Sequence, residues 1–469
     1  MLAKRDHINL QLERLVVVLQ SIKGYELDQL DQILTCDETL WMRELSKLQS
    51  CTQSLKNQSQ LECKSQQIWQ EFLQSYSSDH KIPLEEVLKC SLQMEESCMD
   101  YKHSTYQSTI AAIVLNHLEN NIQIQMPTAS GKTWVQGLLA CYWIQQGKKV
   151  VILVPEKILK MQTQKFLQPL GIQLQIETIE NFYITKRQYD ILIVDEFDRI
   201  TWKHPFYCHD GKLQGIWDIG LTRSYMFSTT CDQGIQRVLA QVCIRPKILK
   251  FKSEYEYLHE LRQDQVGDVI VCSSAEDKLS KIKTEIQERG QALPYIIFCD
   301  DREKAIVKDM IEQTCKLRVK TGISLDILDE IESWQNGMLI LSQDESFGYN
   351  TKFRTDAQVL IACEITSEGQ YLQMRGRSSR SMGALQSKYY PVSTLPKQQI
   401  LLRMKKISIE RFGKLEQLVA LIYKKRYSKV LIEAIADSQK DFDVIESLDD
   451  LKQLIGESAF RKLSQNLKN

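Results

Sequence analysis

The stretch Met126-Pro127-Thr128-Ala129-Ser130-Gly131-Lys132-Thr133 combines a glycine, an amine and three hydroxyls in eight residues. The short apolar run Ile122–Gln125 before it reads as a strand. Trp134-Val135-Gln136-Gly137-Leu138-Leu139-Ala140 after it reads as the first turns of a helix. Strand, loop and helix in that order make a phosphate-binding loop, because backbone N–H groups and the helix N-terminus then face an anion. In that reading Thr128, Ala129, Ser130, Gly131, Lys132 and Thr133 cradle a nucleotide. Gly131 permits close approach, Lys132 reaches the β and γ phosphates, and the Thr133 hydroxyl ligates Mg²⁺. Met126 occupies the place of the usual first glycine, and Ala129 stands where Gly is common.

A second group follows about sixty residues later: the apolar run Ile191-Leu192-Ile193-Val194 ends in Asp195-Glu196-Phe197-Asp198. Asp195 is placed to hold Mg²⁺ with Thr133, and Glu196 to polarise the water that attacks the γ phosphate. Acidic residues also follow buried strands as helix caps, so it is the phosphate loop upstream that makes this pair specific. The third group is Gln373-Met374-Arg375-Gly376-Arg377-Ser378-Ser379-Arg380. Arg377 and Arg380 would share a face if helical, and two guanidinium groups could neutralise transition-state charge. A basic surface turn is the simpler alternative.

The elements that must position these groups show in the texture of the chain. At 469 residues two or three domains are expected. Residues 1 to about 100 read as helical, with Leu27, Leu30, Leu34, Trp41, Leu45, Leu48 and Leu55 on one face. From about residue 101, β-rich runs at Ile122–Gln125, Val150–Val154, Gln173–Glu177, Ile191–Val194 and Arg223–Phe227 alternate with helical segments, the pattern of a parallel sheet covered by helices. Phosphate loops belong at the carboxyl ends of such strands. After Pro391 and Pro396 the chain turns helical again. Its basic stretch from Leu401 to Lys429, interleaved with Phe412, Tyr423 and Tyr427, reads either as a grip on phosphates and bases or as an ordinary amphipathic helix.

Formal net charge is zero, so a nucleic-acid surface would have to be local. Thirteen cysteines without a C-x-x-C pair suggest reduced thiols rather than a disulfide framework or a zinc site. No signal peptide is read at the N-terminus. No run approaches the ~18 apolar residues of a membrane span. An intracellular location, cytoplasm or nucleus, is the expectation.

Together the three groups resemble the superfamily 2 helicases and nucleic-acid translocases, over about residues 103 to 390. The resemblance implies two tandem RecA-like domains with parallel sheets and ATP bound between them. With the flanks, the expected organisation is an α/β chain with all-helical terminal regions: 1–100 helical, 101–262 first RecA-like domain, 263–395 second, 396–469 helical. By resemblance, Gln107 after Tyr106 reads adenine. MPTASGKT is motif I. Val151-Ile152-Leu153-Val154-Pro155 and Thr178 correspond to motifs Ia and Ib, so Pro155 and Thr178 touch the nucleic-acid backbone. DEFD is motif II. Ser228-Thr229-Thr230 fits motif III, which couples hydrolysis to movement, and Tyr295-Ile296-Ile297-Phe298-Cys299 fits motif IV. Thr321, in Lys320-Thr321-Gly322, is a further backbone contact. Ser346-Phe347-Gly348-Tyr349-Asn350 resembles motif V, with Gly348 at the nucleotide and Asn350 where Asp is commoner. QMRGRSSR matches motif VI and brings Gln373, Arg377 and Arg380 to the nucleotide.

The implied function is ATP hydrolysis, with Mg²⁺, coupled to movement on or remodelling of DNA or RNA. Lys132, Asp195, Glu196, Arg377 and Arg380 carry the chemistry. The short interval from Asn350 to Gln373 leaves little room for a strand-splitting hairpin, which favours translocation or local remodelling. A helicase-like scaffold with weak or no ATPase, binding nucleic acid or a protein through its helical flanks, is the alternative. A kinase or GTPase would leave residues 290 to 390 unexplained.

Overall fold

The computed structural model describes residues 105–465, apart from 128–129, 169–173, 186, 230–232, 252–267, 290–293, 315–316, 344, 346–356, 366–367, 378–386, 439–444 and 446. The helices expected in residues 1–100 lie outside the described residues.

Two six-stranded parallel sheets form the body. The first contains β1 (Asn121–Gln125), β2 (Val150–Val154), β3 (Gln175–Thr178), β4 (Ile191–Val194), β7 (Arg223–Ser228) and β8 (Lys247–Lys250), in the order β3-β2-β4-β7-β1-β8. All residues of β2 and β4 are buried. That is why both read as unbroken apolar runs: a central parallel strand is covered on both faces. Between β4 and β7 the chain makes an antiparallel hairpin, β5 (Phe206–His209) and β6 (Lys212–Gly215). Asp210 and Gly211 turn it at φ 48° and 67°, the two-residue turn whose twist matches paired strands.

The second sheet contains β9 (Asp268–Val269), β10 (Pro294–Phe298), β11 (Val319–Thr321), β12 (Gly337–Leu341), β13 (Gln358–Ile361) and β14 (Ser387–Tyr389), in the order β11-β12-β10-β13-β14-β9.

Helices cover both faces of the first sheet. On one lie α1 (Thr105–Asn116) and α2 (Lys132–Gln145), in a core with Ile122, Ile124, Ile152 and Ile193. Following in the chain are α3 (Lys157–Leu167), α4 (Ile179–Thr185), α5 (Phe197–Lys203), α6 (Ile216–Gly220) and α7 (Gln233–Gln241). The second sheet carries α8 (Ala275–Arg289), α9 (Lys304–Thr314), α10 (Leu325–Ile331) and α11 (Glu368–Arg375).

Four helices complete the chain: α12 (Lys397–Lys425), α13 (Lys429–Ser438), α14 (Leu448–Ile455) and α15 (Glu457–Ser464). They return to the first sheet. Phe412, Leu415, Leu418, Val419, Leu421 and Ile422 of α12 share a core with Val151, Leu153, Leu192 and Val194. The start of α12 is buried elsewhere: Ile400 and Met404 pack with Phe298, Leu341 and Ile361 of the second sheet. One helix of 29 residues, about 43 Å long, therefore belongs to both cores.

The basic stretch on α12 is an amphipathic helix whose apolar face and most of whose aromatics are buried. Phe412 is core, edge-on to Trp202 at 5.3 Å. Tyr423 lies 5.6 Å from Trp217. Arg411 caps the Trp202 ring and Arg426 the Tyr423 ring, as flat, weakly hydrated guanidinium groups do on aromatic faces. Of the three aromatics only Tyr427 is exposed. Burial against the first sheet, not base stacking, accounts for the other two.

Candidate functional site

The carboxyl ends of β1, β4 and β7 lie side by side, and each delivers one part of the site. From β1 the chain enters the phosphate loop. Ser130 folds it back on itself, its Oγ donating to Pro127 O at 2.6 Å. Gly131 takes φ 83°, where a side chain is strained. A Cβ there would also sit 2.6 Å from Gln107 Nε2. Gln107 is buried behind the loop and donates to Ser130 O at 3.2 Å. Its observed contact is thus with the loop backbone. Helix α2 starts at Lys132, and Thr133 occupies its second position. Thr128 and Ala129 lie outside the described residues.

From β4 come Asp195 and Glu196, both 4 % exposed. Glu196 sits at φ 45°, left-handed for a non-glycine residue, and opens α5. Such backbone strain is uncommon and concentrates at functional sites. Its N–H donates to Asp195 Oδ1 at 3.0 Å. Burial, then the neighbouring Glu196 charge, push the Asp195 carboxyl up to about 6, against the pull of Lys132.

The strand between them, β7, ends at Ser228 and is followed by Thr229. Lys132 Nζ donates to Thr229 Oγ1 at 2.6 Å and lies 3.4 Å from Glu196 Oε1. The lysine is therefore held between two partners, one following β7 and one following β4.

The second sheet closes the site from the other side. Gln373, on α11, is fully buried; its Nε2 donates to Thr229 Oγ1 at 2.5 Å and to Glu196 Oε2 at 3.0 Å. Seven predicted residues, Gln107, Ser130, Gly131, Lys132, Asp195, Glu196 and Gln373, thus meet directly or through one intermediate. Helix α11 ends at Arg375, so Arg377 lies in the turn that follows. Arg380, expected to share a helical face with it, lies outside the described residues, as do Gly348 and Asn350.

Two members of the cluster were not among the site residues singled out from the sequence. Thr229 stood in a recognised motif but not as the partner of both Lys132 and Gln373. Gln136 was read only as part of a helix, yet its Nε2 donates to Asp195 Oδ1 at 2.7 Å, with both groups buried. The available signal was a polar residue one turn after Lys132 on an otherwise apolar helix face.

The residues expected to touch nucleic acid stand at strand ends, two of them, Thr178 and Thr321, on the edge strands β3 and β11. Pro155 is buried at the end of β2, and Glu156 beyond it pairs with Arg199 of α5. Thr178 ends β3 and accepts from Asn181 N–H at 3.3 Å, capping α4. Thr321 ends β11 and is exposed. Lys165 of α3 and Asp329 of α10 pair at 2.7 Å across the seam between the two sheets.

The donor set suits a hard divalent cation. A buried aspartate beside a second carboxylate, with a hydroxyl at the start of α2, is the oxygen chemistry Mg²⁺ takes. Mg²⁺ also commonly draws ligands from substrate phosphates and water. Among the described residues there is no larger cluster of His, Cys, Asp or Glu that could hold a metal.

Fold and site together define a two-sheet RecA-like arrangement with a phosphate loop and an acidic strand end facing one seam. Residues 104–191 match the DEAD/DEAH box helicase family, which supports the resemblance to superfamily 2 helicases. The match stops at Ile191, so the acidic pair stands on its geometry here. No curated protein matches the chain. Among solved structures, one of Mss116p bound to ssRNA and AMP-PNP aligns at TM-score 0.53 and 15 % identity, over 83 % of this chain and 92 % of that one. A variant of S. cerevisiae Dbp5 bound to RNA and ADP BeF3 aligns at TM-score 0.51 and 15 % identity, over 73 % of this chain and 97 % of that one. At that identity the likeness is one of fold. Among the described residues no helix is long and apolar enough to cross a membrane.

Proposed function

We propose that the chain is a nucleic-acid-dependent ATPase of the helicase or translocase type, which moves on or remodels DNA or RNA. The observation that carries this is the convergence of Lys132, Glu196 and Thr229 from one sheet with Gln373 from the other. A phosphate site whose catalytic carboxylate is hydrogen-bonded by the second sheet can convert hydrolysis into relative movement of the two. The domain division at about residues 100, 262 and 395 belongs to the same proposal.

In this reading ATP enters over the phosphate loop. The Lys132 ammonium exchanges Thr229 and Glu196 for the β and γ phosphates. Glu196, released from the lysine, orients and polarises the attacking water. Thr133 and Asp195 would hold Mg²⁺, which when bound supplies positive charge to the phosphate oxygens. Gln107 braces the loop, and its place behind Gly131 is compatible with adenine recognition. Arg377 and Arg380 neutralise charge in the transition state, and Gly348 is assigned to the nucleotide with them. Pro155, Thr178 and Thr321 form the track for a nucleic-acid backbone, read through phosphates rather than bases.

Glu196→Gln tests the assignment at one atom. It keeps the size of the side chain and removes the base. The expected result is nucleotide binding within a few-fold of native and turnover reduced at least ~100-fold. Native turnover by a folded Glu196→Gln protein would refute the assigned role.

A further inference from the structure

Gln136 has no packing reason to be a glutamine. It is fully buried on α2, one turn after Lys132. Its Oε1 is buried without a hydrogen-bond partner. An unpaired buried acceptor is destabilising, and an unbranched apolar residue of the same length would remove that penalty. What the amide gains is its other end: Nε2 donates to Asp195 Oδ1 at 2.7 Å. The same oxygen accepts the Glu196 N–H at 3.0 Å. Among the described residues Asp195 Oδ2 has no partner.

We infer that Gln136 is a positioning residue that pins the Asp195 carboxylate through Oδ1, so that Oδ2 is the oxygen presented to the Mg²⁺ of a bound nucleotide. The inference rests on the nucleotide-site reading above. Two donors from different directions on one oxygen fix the rotation of the carboxylate as well as its place. A neutral amide does this without adding a charge: a lysine or arginine at 136 would compete with the cation, and a glutamate would crowd a third carboxylate beside Asp195 and Glu196. The bond links α2, which carries Lys132 and Thr133, to the end of β4, so the lysine, the hydroxyl and the aspartate are held as one unit. Outer partners of metal-binding carboxylates act in this way on affinity.

The test is equilibrium binding of a fluorescent ATP analogue to the full chain, once with Mg²⁺ and once with excess EDTA. In the native chain Mg²⁺ is expected to tighten binding, and no tightening would overturn the proposal. In Gln136→Met, which keeps the length and loses the donor, binding in EDTA is expected to stay within twofold of native, while the tightening by Mg²⁺ falls about tenfold. Gln136→Asn, which retracts the amide by one methylene, is expected to give the same split and serves if the methionine variant does not fold. Variants that keep the full Mg²⁺ effect would overturn the positioning role. So would variants that lose affinity equally in Mg²⁺ and EDTA, since that marks a merely structural residue. A native chain that binds the analogue in neither buffer would overturn the nucleotide-site reading itself, and this role with it.

Discussion

The buried Asp195–Glu196 pair is held at the expense of the nucleotide-free fold. Asp195 titrates at about 6 because burial and Glu196 oppose its charge. An acid raised above its usual value near 3.9 keeps its proton longer in the folded chain, so its contribution to folding is favourable below pH 4 and is lost as pH rises through 6. In EDTA without nucleotide, Asp195→Asn should therefore stabilise the chain at pH 8, by about 1–3 kcal/mol, and do little at pH 4. Urea unfolding at the two pH values would show it; equal effects at both would contradict the account. Lys132→Ala should abolish turnover while thermal melting shows an intact fold. At this scale the sequence was legible where residues that the fold brings together sit in local motifs, as at Lys132, Asp195, Glu196 and Gln373. It was silent on Gln136 because that residue acts across space, on a strand 59 residues away in the chain. It was silent on the role of Thr229 because nothing in chain order shows that β7 lies between β1 and β4.

Among the elements, the central strands were readable because parallel strands buried on both faces are continuously apolar. Val150–Val154 and Ile191–Val194 form with the expected boundaries. The β5–β6 hairpin was missed although it carries a plain signal, Asp210-Gly211 between alternating residues. Helix α11 ends before Arg377, a stop consistent with Gly376 and Ser378 but masked by the motif itself. The contact between α7 and α12 has a specific requirement. Gly234 lies so close to Phe412 that a Cβ would come within 2.3 Å of its ring. Gly234→Val should destabilise the fold by about 1–3 kcal/mol through overpacking, and Phe412→Ala by about 3–5 kcal/mol through the cavity it leaves. Chemical denaturation measures both. A neutral Gly234→Val would mean that α12 does not seat there.

For the whole molecule, α12 is the element that composition could not reveal. Its amphipathic pattern shows that one face is buried but not that its two ends are buried in different cores. A helix anchored in both sheets limits how far they can separate, and on the proposed function it would do so during nucleotide turnover. A chain ending at residue 396 would expose the apolar face of the first sheet that α12 to α15 cover, and should aggregate or melt well below the full chain. The same truncation left soluble and equally stable would contradict the strut. The central claim is that hydrolysis and nucleic-acid contact are coupled through one seam. Steady-state ATP hydrolysis, alone and then with single- and double-stranded DNA and RNA at low and moderate salt, tests it most directly. The account predicts stimulation by at least one polymer, weakening as salt rises and absent in Lys132→Ala. A folded, nucleotide-binding chain that hydrolyses no ATP with any of the four would contradict it and favour a helicase-like scaffold.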